Sequence, residues 1–260
     1  MTTTAIEAAV LRVIDEMRAN LGQELTIDDM ARTAMFSKFH FTRVFREVTG
    51  TSPGRFLSAL RLQEAKRLLL ETDFSVADIS SQVGYSSVGT FSSRFKFCVG
   101  VSPSMFRELE GFARAIGQDG QDGQDAAGGT ARATLRGRVQ LLDERAPGRC
   151  FVGLFPAPVP QGQPVRCAVL DGPGPFELCD VPPGTWHILV HSVPYGYEHL
   201  PSGSGAEDVV SVGSYGPVTV REDTLLMPAE IVLRPLDAMD PPVLTALLDL
   251  RSSTLERIAG

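Results

Sequence analysis

Hydrophobic positions follow two different periods along this chain. Up to about residue 110 they recur every three or four residues, and beyond about residue 132 they alternate. Ile6, Val10, Val13, Ile14, Met17 and Leu21 share one side of a helix predicted over 4–20, with Gly22 at its end. Thr26 is a natural N-cap, and Asp28 and Asp29 sit in the first turn, where the helix dipole favours acids. That short helix runs to about Ala34 and buries Ile27, Met30 and Ala31. Ser37 then caps a helix with Phe41, Val44, Phe45 and Val48 inward and Lys38, His40, Thr42, Arg43 and Arg46 outward. Gly50 stops it. Pro53, after Ser52, opens a longer helix to about Glu71 with Phe56, Leu60, Ala65, Leu68 and Leu69 on its apolar side. Ser75 caps the next helix, the chain turns at Gly84, and a helix from near Ser87 to Val99 turns Phe91, Phe95 and Val99 inward. Pro103 opens a last helix, predicted through about Arg114.

These helices are one unit written twice. The stretch from Thr26 to Ser37 aligns with Ser75 to Ser86 at an offset of 49, and after one inserted residue the offset is 50. Phe41 then falls on Phe91, Phe45 on Phe95, Arg46 on Lys96, Gly50 on Gly100, Pro53 on Pro103 and Phe56 on Phe106. Each unit is a short helix, a tight turn and a second helix with basic residues outside, the pattern of a helix-turn-helix. The helix over 53–71 spans ~27 Å at ~1.5 Å per residue. That length suits two reading helices placed about one DNA turn (~34 Å) apart.

Between 115 and 131, Gly, Gln and Asp repeat with no apolar anchor, the composition of a flexible tether. Beyond it, Leu135, Gly137, Val139 and Leu141 alternate with Arg136, Arg138 and Gln140. Strands are predicted over 151–155, 165–170, 176–179, 186–193, 209–212, 217–220 and 229–233, with turn residues between them. Short strands at this spacing point to a β-sandwich. Residues 241–250 have the pattern of a short closing helix. The predicted architecture is multidomain: an all-α double helix-turn-helix domain over 1–114 (units at 26–49 and 75–99, joined by helix 53–71), the linker 115–131, and an all-β sandwich over 132–260.

Composition refines this picture. Net charge is −7, yet residues 1–115 carry +1 and residues 116–260 carry −8. Residues 37–67 hold seven basic side chains against Glu47 and Glu64, a local +5, and Arg94, Lys96 and Arg107 follow with no acid between 91 and 107. Phosphates respond to charge within about one Debye length, ~8 Å, so an acidic second half does not prevent DNA binding. No apolar run is long enough to span a bilayer and the N-terminus lacks the pattern of a signal peptide, so a cytoplasmic protein is expected. Cys98, Cys150, Cys167 and Cys179 show no metal spacing, and buried free thiols are expected.

The helical half resembles the DNA-binding region of the AraC/XylS family of transcriptional regulators. The matches are the stretch from Asp78 to Ser87, then Thr90 to Lys96, then Gly100 to Arg107, and the resemblance covers about residues 5–110. It implies that Phe39, Thr42 and Arg43 face the bases from the first recognition helix, and Val88, Gly89, Thr90 and Ser93 from the second. Ser37, Lys38, His40, Arg46, Ser86, Ser87, Arg94 and Lys96 complete the expected DNA surface. Position 93, often Arg in the family, is Ser here, with Arg displaced to 94. Val88 and Gly89 offer base edges no side-chain hydrogen bond. Direct readout is therefore expected mainly from the first unit, through Arg43 to guanine and through Thr42, with the second anchoring phosphates and sensing groove shape or a thymine methyl.

In the second half, Gly137 together with the stretch from Gly174 to Trp186 resembles a transthyretin-like or carboxypeptidase-regulatory sandwich. Trp186, His187, Tyr195, Tyr197 and Tyr215 are candidates for a ligand or partner surface. His187 and His191 lie on one face of a strand but ~13 Å apart, too far to share a metal ion, and no metal or other cofactor is expected. No catalytic motif occurs, so no enzyme activity is expected. Expected partners are double-stranded DNA, RNA polymerase and a small-molecule or protein effector, with no membrane. Two functions are compatible with the pattern. One is a regulator whose sandwich senses a ligand or contacts a partner; the other is a DNA-tethered adaptor whose sandwich recruits another protein without sensing.

Overall fold

The computed structural model of the chain describes residues 3–109, 133–141, 148–195, 210–221 and 226–244. The predicted tether over 115–131, the turn toward Arg114, Tyr197 and the segment 245–250 lie outside them. The chain divides into two compact units, Met1–Glu110 with Asp237–Thr245, and Gly111–Leu236 with Ala246–Gly260. Among the described residues no helix is long and apolar enough to cross a membrane.

The helical unit is built from α1 (Thr3–Ala19), α2 (Ile27–Thr33), α3 (Lys38–Thr49), α4 (Pro53–Glu71), α5 (Val76–Gln82), α6 (Val88–Val99) and α7 (Pro103–Glu108). Local chemistry sets the ends of these helices. At α2 the Thr26 hydroxyl accepts from the Asp29 N–H while the Asp29 carboxylate accepts from the Thr26 N–H. Ser75 and Asp78 repeat this reciprocal cap at α5, so both units satisfy two otherwise orphaned donors in the same way. Both reading helices end on a left-handed glycine, Gly50 at φ +73° and Gly100 at φ +101°.

Each unit then stacks three phenylalanines, edge to face except for the tilted pair Phe91–Phe95. Phe41, Phe45 and Phe56 have centroids 5.5 Å apart, and Phe91, Phe95 and Phe106 have centroids 5.7 and 5.6 Å apart. All six are fully buried, and such pairs contribute about 0.5–1.5 kcal/mol each beyond their buried area. The joining helix differs from the amphipathic stripe expected of it. Besides Phe56, Leu60, Ala65, Leu68 and Leu69, it buries Leu57, Ala59, Leu62 and Lys66. α4 packs against α1 and α3 of the first unit and α5 and α7 of the second, so it is covered on more than one side.

The second unit contains β1 (Ala133–Leu141), β2 (Gly148–Phe155), β3 (Arg166–Leu170), β4 (Pro175–Val181), β5 (Gly184–Pro194), β6 (Ser211–Val220) and β7 (Ala229–Pro235). Their order in the sheet is β3-β2-β5-β6-β7-β1-β4. Only the β1–β7 pairing is parallel. Leu135 and Val139 of β1, Val152 and Leu154 of β2, Phe176 and Leu178 of β4, and Ile231 and Leu233 of β7 meet in one apolar cluster. Gly137 permits the crowding of β1, because an added Cβ would lie 2.4 Å from the Ala229 carbonyl oxygen and 2.5 Å from the Phe176 ring.

Three expectations are corrected here. The stretches 209–212 and 217–220 are not separate strands: within the described residues one strand, β6, runs through the cis Gly216–Pro217 bond. Residues 241–244 carry no helix, and they group with the helical unit instead of closing the sheet. Consecutive prolines, Pro241 and Pro242, remove two backbone donors and hold the chain extended. Cys98 and Cys150 are buried free thiols, but Cys167 and Cys179 are exposed. On β4 it is Phe176 and Leu178 that turn inward, leaving Cys179 outside.

Candidate nucleic-acid interface

The tight turn between the paired helices fixes each reading helix. In the first unit Met35 takes a left-handed conformation at φ +57°, and in the second Gly84 does so at φ +82°. After these turns the chain enters α3 and α6 from extended Ser37 and Ser87. Ser87 caps its helix by accepting from the Thr90 N–H; Ser37 makes no side-chain cap. The structure places the predicted contact residues as follows.

On α3, Phe39 is 89% exposed, so its ring stands clear of the core. Arg43 is exposed and paired at 2.8 Å with Glu47, one turn further along. Its second Nη lies 3.3 Å from Nδ1 of His40, a ring that packs edge-on against Phe36. Lys38 is paired with Asp28 of α2 at 2.9 Å, and Thr42 donates to the Lys38 carbonyl on its own helix. Arg46 is exposed on the same helix. Exposed pairs of this kind contribute ~0–1 kcal/mol, so a phosphate or guanine edge competes readily for either cation.

On α6, Val88, Gly89, Thr90, Ser93 and Lys96 are exposed, as is Ser86 ahead of it. Arg94 is half-buried: its Nε donates at 3.5 Å to the Ser58 hydroxyl of α4, and its guanidinium lies 5.8 Å from the ring of Phe97. Gly89, Thr90, Ser93, Arg94 and Phe97 line one shallow hollow on this helix. Phe97 was not among the predicted contacts. It is 63% exposed, and a phenylalanine out of step with the buried Phe91 and Phe95 is the signal that reveals it.

Part of the positive field expected from residues 37–67 is used inside the fold. Arg61 is half-buried and donates to the carbonyls of Leu21 at 2.9 Å and Gln23 at 2.7 Å; burial lowers its pKa. Lys66 is 1% exposed. Arg67 is held by Glu64 and Glu71, and Arg107 donates to the carbonyls of Leu69, Thr72 and Phe74. Of the cations left facing solvent, Lys38, Arg43, Arg46 and Lys96 stand on the reading helices, while Arg12, Arg18, Arg32 and Arg55 stand on α1, α2 and α4.

A helix-turn-helix domain model matches residues 30–109, spanning both reading helices and α4. Over 91 residues the chain is 35% identical to the HTH-type transcriptional activator AarP of Providencia stuartii, covering 35% of this chain and 67% of that protein. It is 34% identical over 93 residues to the probable transcription factor PqrA of Proteus vulgaris, covering 36% of this chain and 76% of that one. This chain belongs to the AraC family of helix-turn-helix DNA-binding transcriptional regulators. A crystal structure of an AraC-type regulator from Chromobacterium violaceum shares 30% identity, covers 40% of this chain and 93% of its own, and superposes with a TM-score of 0.37. Longer regulators are matched over 35–38% of their own length.

The predicted effector surface of this regulator is not one surface. Trp186 and Tyr215 pack against the sheet core near the start of β5, where the Trp186 indole donates to the Pro182 carbonyl at 2.9 Å. His187 lies beside them, and burial lowers its pKa. Tyr195 follows the far end of β5 and donates to Asp171 at 3.2 Å. Nine residue steps along extended chain separate Trp186 from Tyr195, ~30 Å at ~3.3 Å per step. Among the described residues no cluster of His, Cys, Asp and Glu is placed to hold a metal ion.

Proposed function

We propose that this regulator reads two successive major-groove segments with a single chain and activates transcription from the site it binds. The observation that carries the proposal is the duplicated unit, with matched caps, matched phenylalanine stacks and matched left-handed stops, on the two ends of the 19-residue α4. Arg43 and Thr42 supply most direct readout, because Val88 and Gly89 of α6 offer base edges no side-chain hydrogen bond. Phe39, Thr90 and Ser93 make the remaining groove contacts, and Ser37, Lys38, His40, Arg46, Ser86, Ser87, Arg94 and Lys96 hold phosphates. Activation is supported by the name of the relative AarP, a transcriptional activator, and RNA polymerase is the partner that this reading adds.

In the same reading, the DNA-binding domain occupies residues 1–114 and a tether follows to 131. The strand-rich unit is then a two-layered, transthyretin-like sandwich that senses a ligand or contacts a partner protein. Support for two layers comes from β2, buried along its whole length, and from the cluster shared by β1, β4 and β7 with β2 and β5.

The test is selection of bound duplex from a random pool, followed by footprinting. Protection of about two helical turns, ~20 base pairs, by a monomer is expected. Protection that appears only with a dimer, or over a single turn, refutes the reading.

A further inference from the structure

The residues after β7 join the helical unit, where they touch both of its halves. Asp237 and Asp240 fold them into a tight turn: the Asp240 carboxylate accepts from the Asp237 N–H at 2.7 Å, and the Asp237 carboxylate from the Met239 N–H at 2.8 Å. The turn seats Met239 against the core cluster of the first helix-turn-helix unit. Beside it, Arg18 of α1 makes a long hydrogen bond, 3.4 Å, to the Ala238 carbonyl. Further on, Leu244 is fully buried and its carbonyl accepts at 3.4 Å from Nζ of Lys66 on α4. That ammonium stands 5.8 Å over the ring of Phe106, the last member of the second phenylalanine stack. One short segment therefore engages the first unit through Met239 and the second through Lys66.

We propose that residues 237–244 are a strap, bound in cis, that holds the two helix-turn-helix units in register along α4. Docking of the strap then sets the affinity for any site that needs both reading helices. Two linked binding modules gain affinity only while their spacing matches the target, and a brace across the joining helix protects that spacing. The strap follows β7 directly in the chain. It therefore joins the strand-rich unit covalently to the core of the helical unit, a second connection besides the stretch that follows α7.

The register claim rests on the two-groove reading, but the docking claim does not, and hydrogen exchange on the full chain tests docking without DNA. In the variant carrying Met239→Ser and Leu244→Ser, amides of α1 and α4 are expected to exchange roughly tenfold faster, with β2 and β5 unchanged. The milder Arg18→Ala and Leu244→Ala, made singly, guard against wholesale unfolding: each should raise exchange in the helix it contacts. Unchanged exchange in α1 and α4 in these variants overturns the strap. Binding is then measured on a duplex selected by the intact protein and on the same duplex with one half-site scrambled. A loss of roughly tenfold on the intact site and little on the scrambled one is expected. Equal loss on both overturns the register claim while leaving the DNA-binding reading intact.

Discussion

Two glycines in left-handed backbone separate conformational strain from steric overlap. A Cβ at Gly50 meets nothing within 4 Å, whereas one at Gly84 would lie 2.5 Å from the Leu21 carbonyl oxygen and 2.8 Å from Nη2 of Arg61. Gly50→Ala should cost about 1–2 kcal/mol, the strain of a left-handed L-residue. Gly84→Ala should cost clearly more, because backbone and a half-buried guanidinium must also move; urea titration of both variants measures the difference. Base readout divides between residues in the same way. Arg43→Ala should weaken binding by about 1–3 kcal/mol and relax preference at one base pair. Gly89→Ala should fold normally, its nearest neighbour being Ser87 Oγ at 3.7 Å, and should leave base preference nearly unchanged. Competition binding with single-base operator variants checks both, and equal loss of preference would refute the ranking of the two helices.

At the scale of elements, the caps decide where the short helices begin, and one of them titrates. Hydrogen bonds from the Thr26 hydroxyl and N–H, with the nearby Arg32, hold the Asp29 carboxyl below its ordinary 3.8. A carboxyl depressed in the folded state contributes stability that is complete above its unfolded pKa. That contribution is lost as pH falls through the folded value. Thermal melts of the wild type between about pH 5 and pH 2 should therefore lose a component in the acid limb that Asp29→Asn lacks. An identical pH dependence in the two proteins would show that this cap carries no linked proton. The same reciprocal cap at Ser75 and Asp78 reflects the duplication, since both copies start a helix from a hydroxyl and an Asp three residues on.

For the whole molecule, a net charge of −7 does not describe what DNA meets. Arg61, Lys66, Arg67 and Arg107 are occupied within the helical unit, and Lys38, Arg46, Arg94 and Lys96 are the cations that α3 and α6 hold for phosphate. If Lys38, Arg46, Arg94 and Lys96 each neutralise one phosphate, log affinity should fall against log salt with a slope of about −3 to −4. Lys96→Ala should reduce that slope by about one while leaving base preference unchanged. A slope near zero, from fluorescence anisotropy across a salt series, would remove phosphate contact as the source of affinity.

The sequence by itself determined the features that depend on neighbours a few residues away. The 49- and 50-residue offsets, the caps at Thr26 and Ser75, the stops at Gly50 and Gly100, and the helix from Pro53 to Glu71 are all local, and periodicity displays them. Family membership was legible for the same reason, because the matched motifs lie within those helices. Tertiary structure decided what depended on distant partners. Whether a cation faces DNA or a carbonyl is not written in its own segment: Arg61 finds Leu21 forty residues away, and Lys66 finds Leu244 across 178. The pattern over 241–250 points to a closing helix, and only the fold shows that 237–244 instead rests on α1 and α4. Trp186 and Tyr195 stand close in sequence, yet an extended chain carries them apart, Trp186 near the start of β5 and Tyr195 beyond its far end.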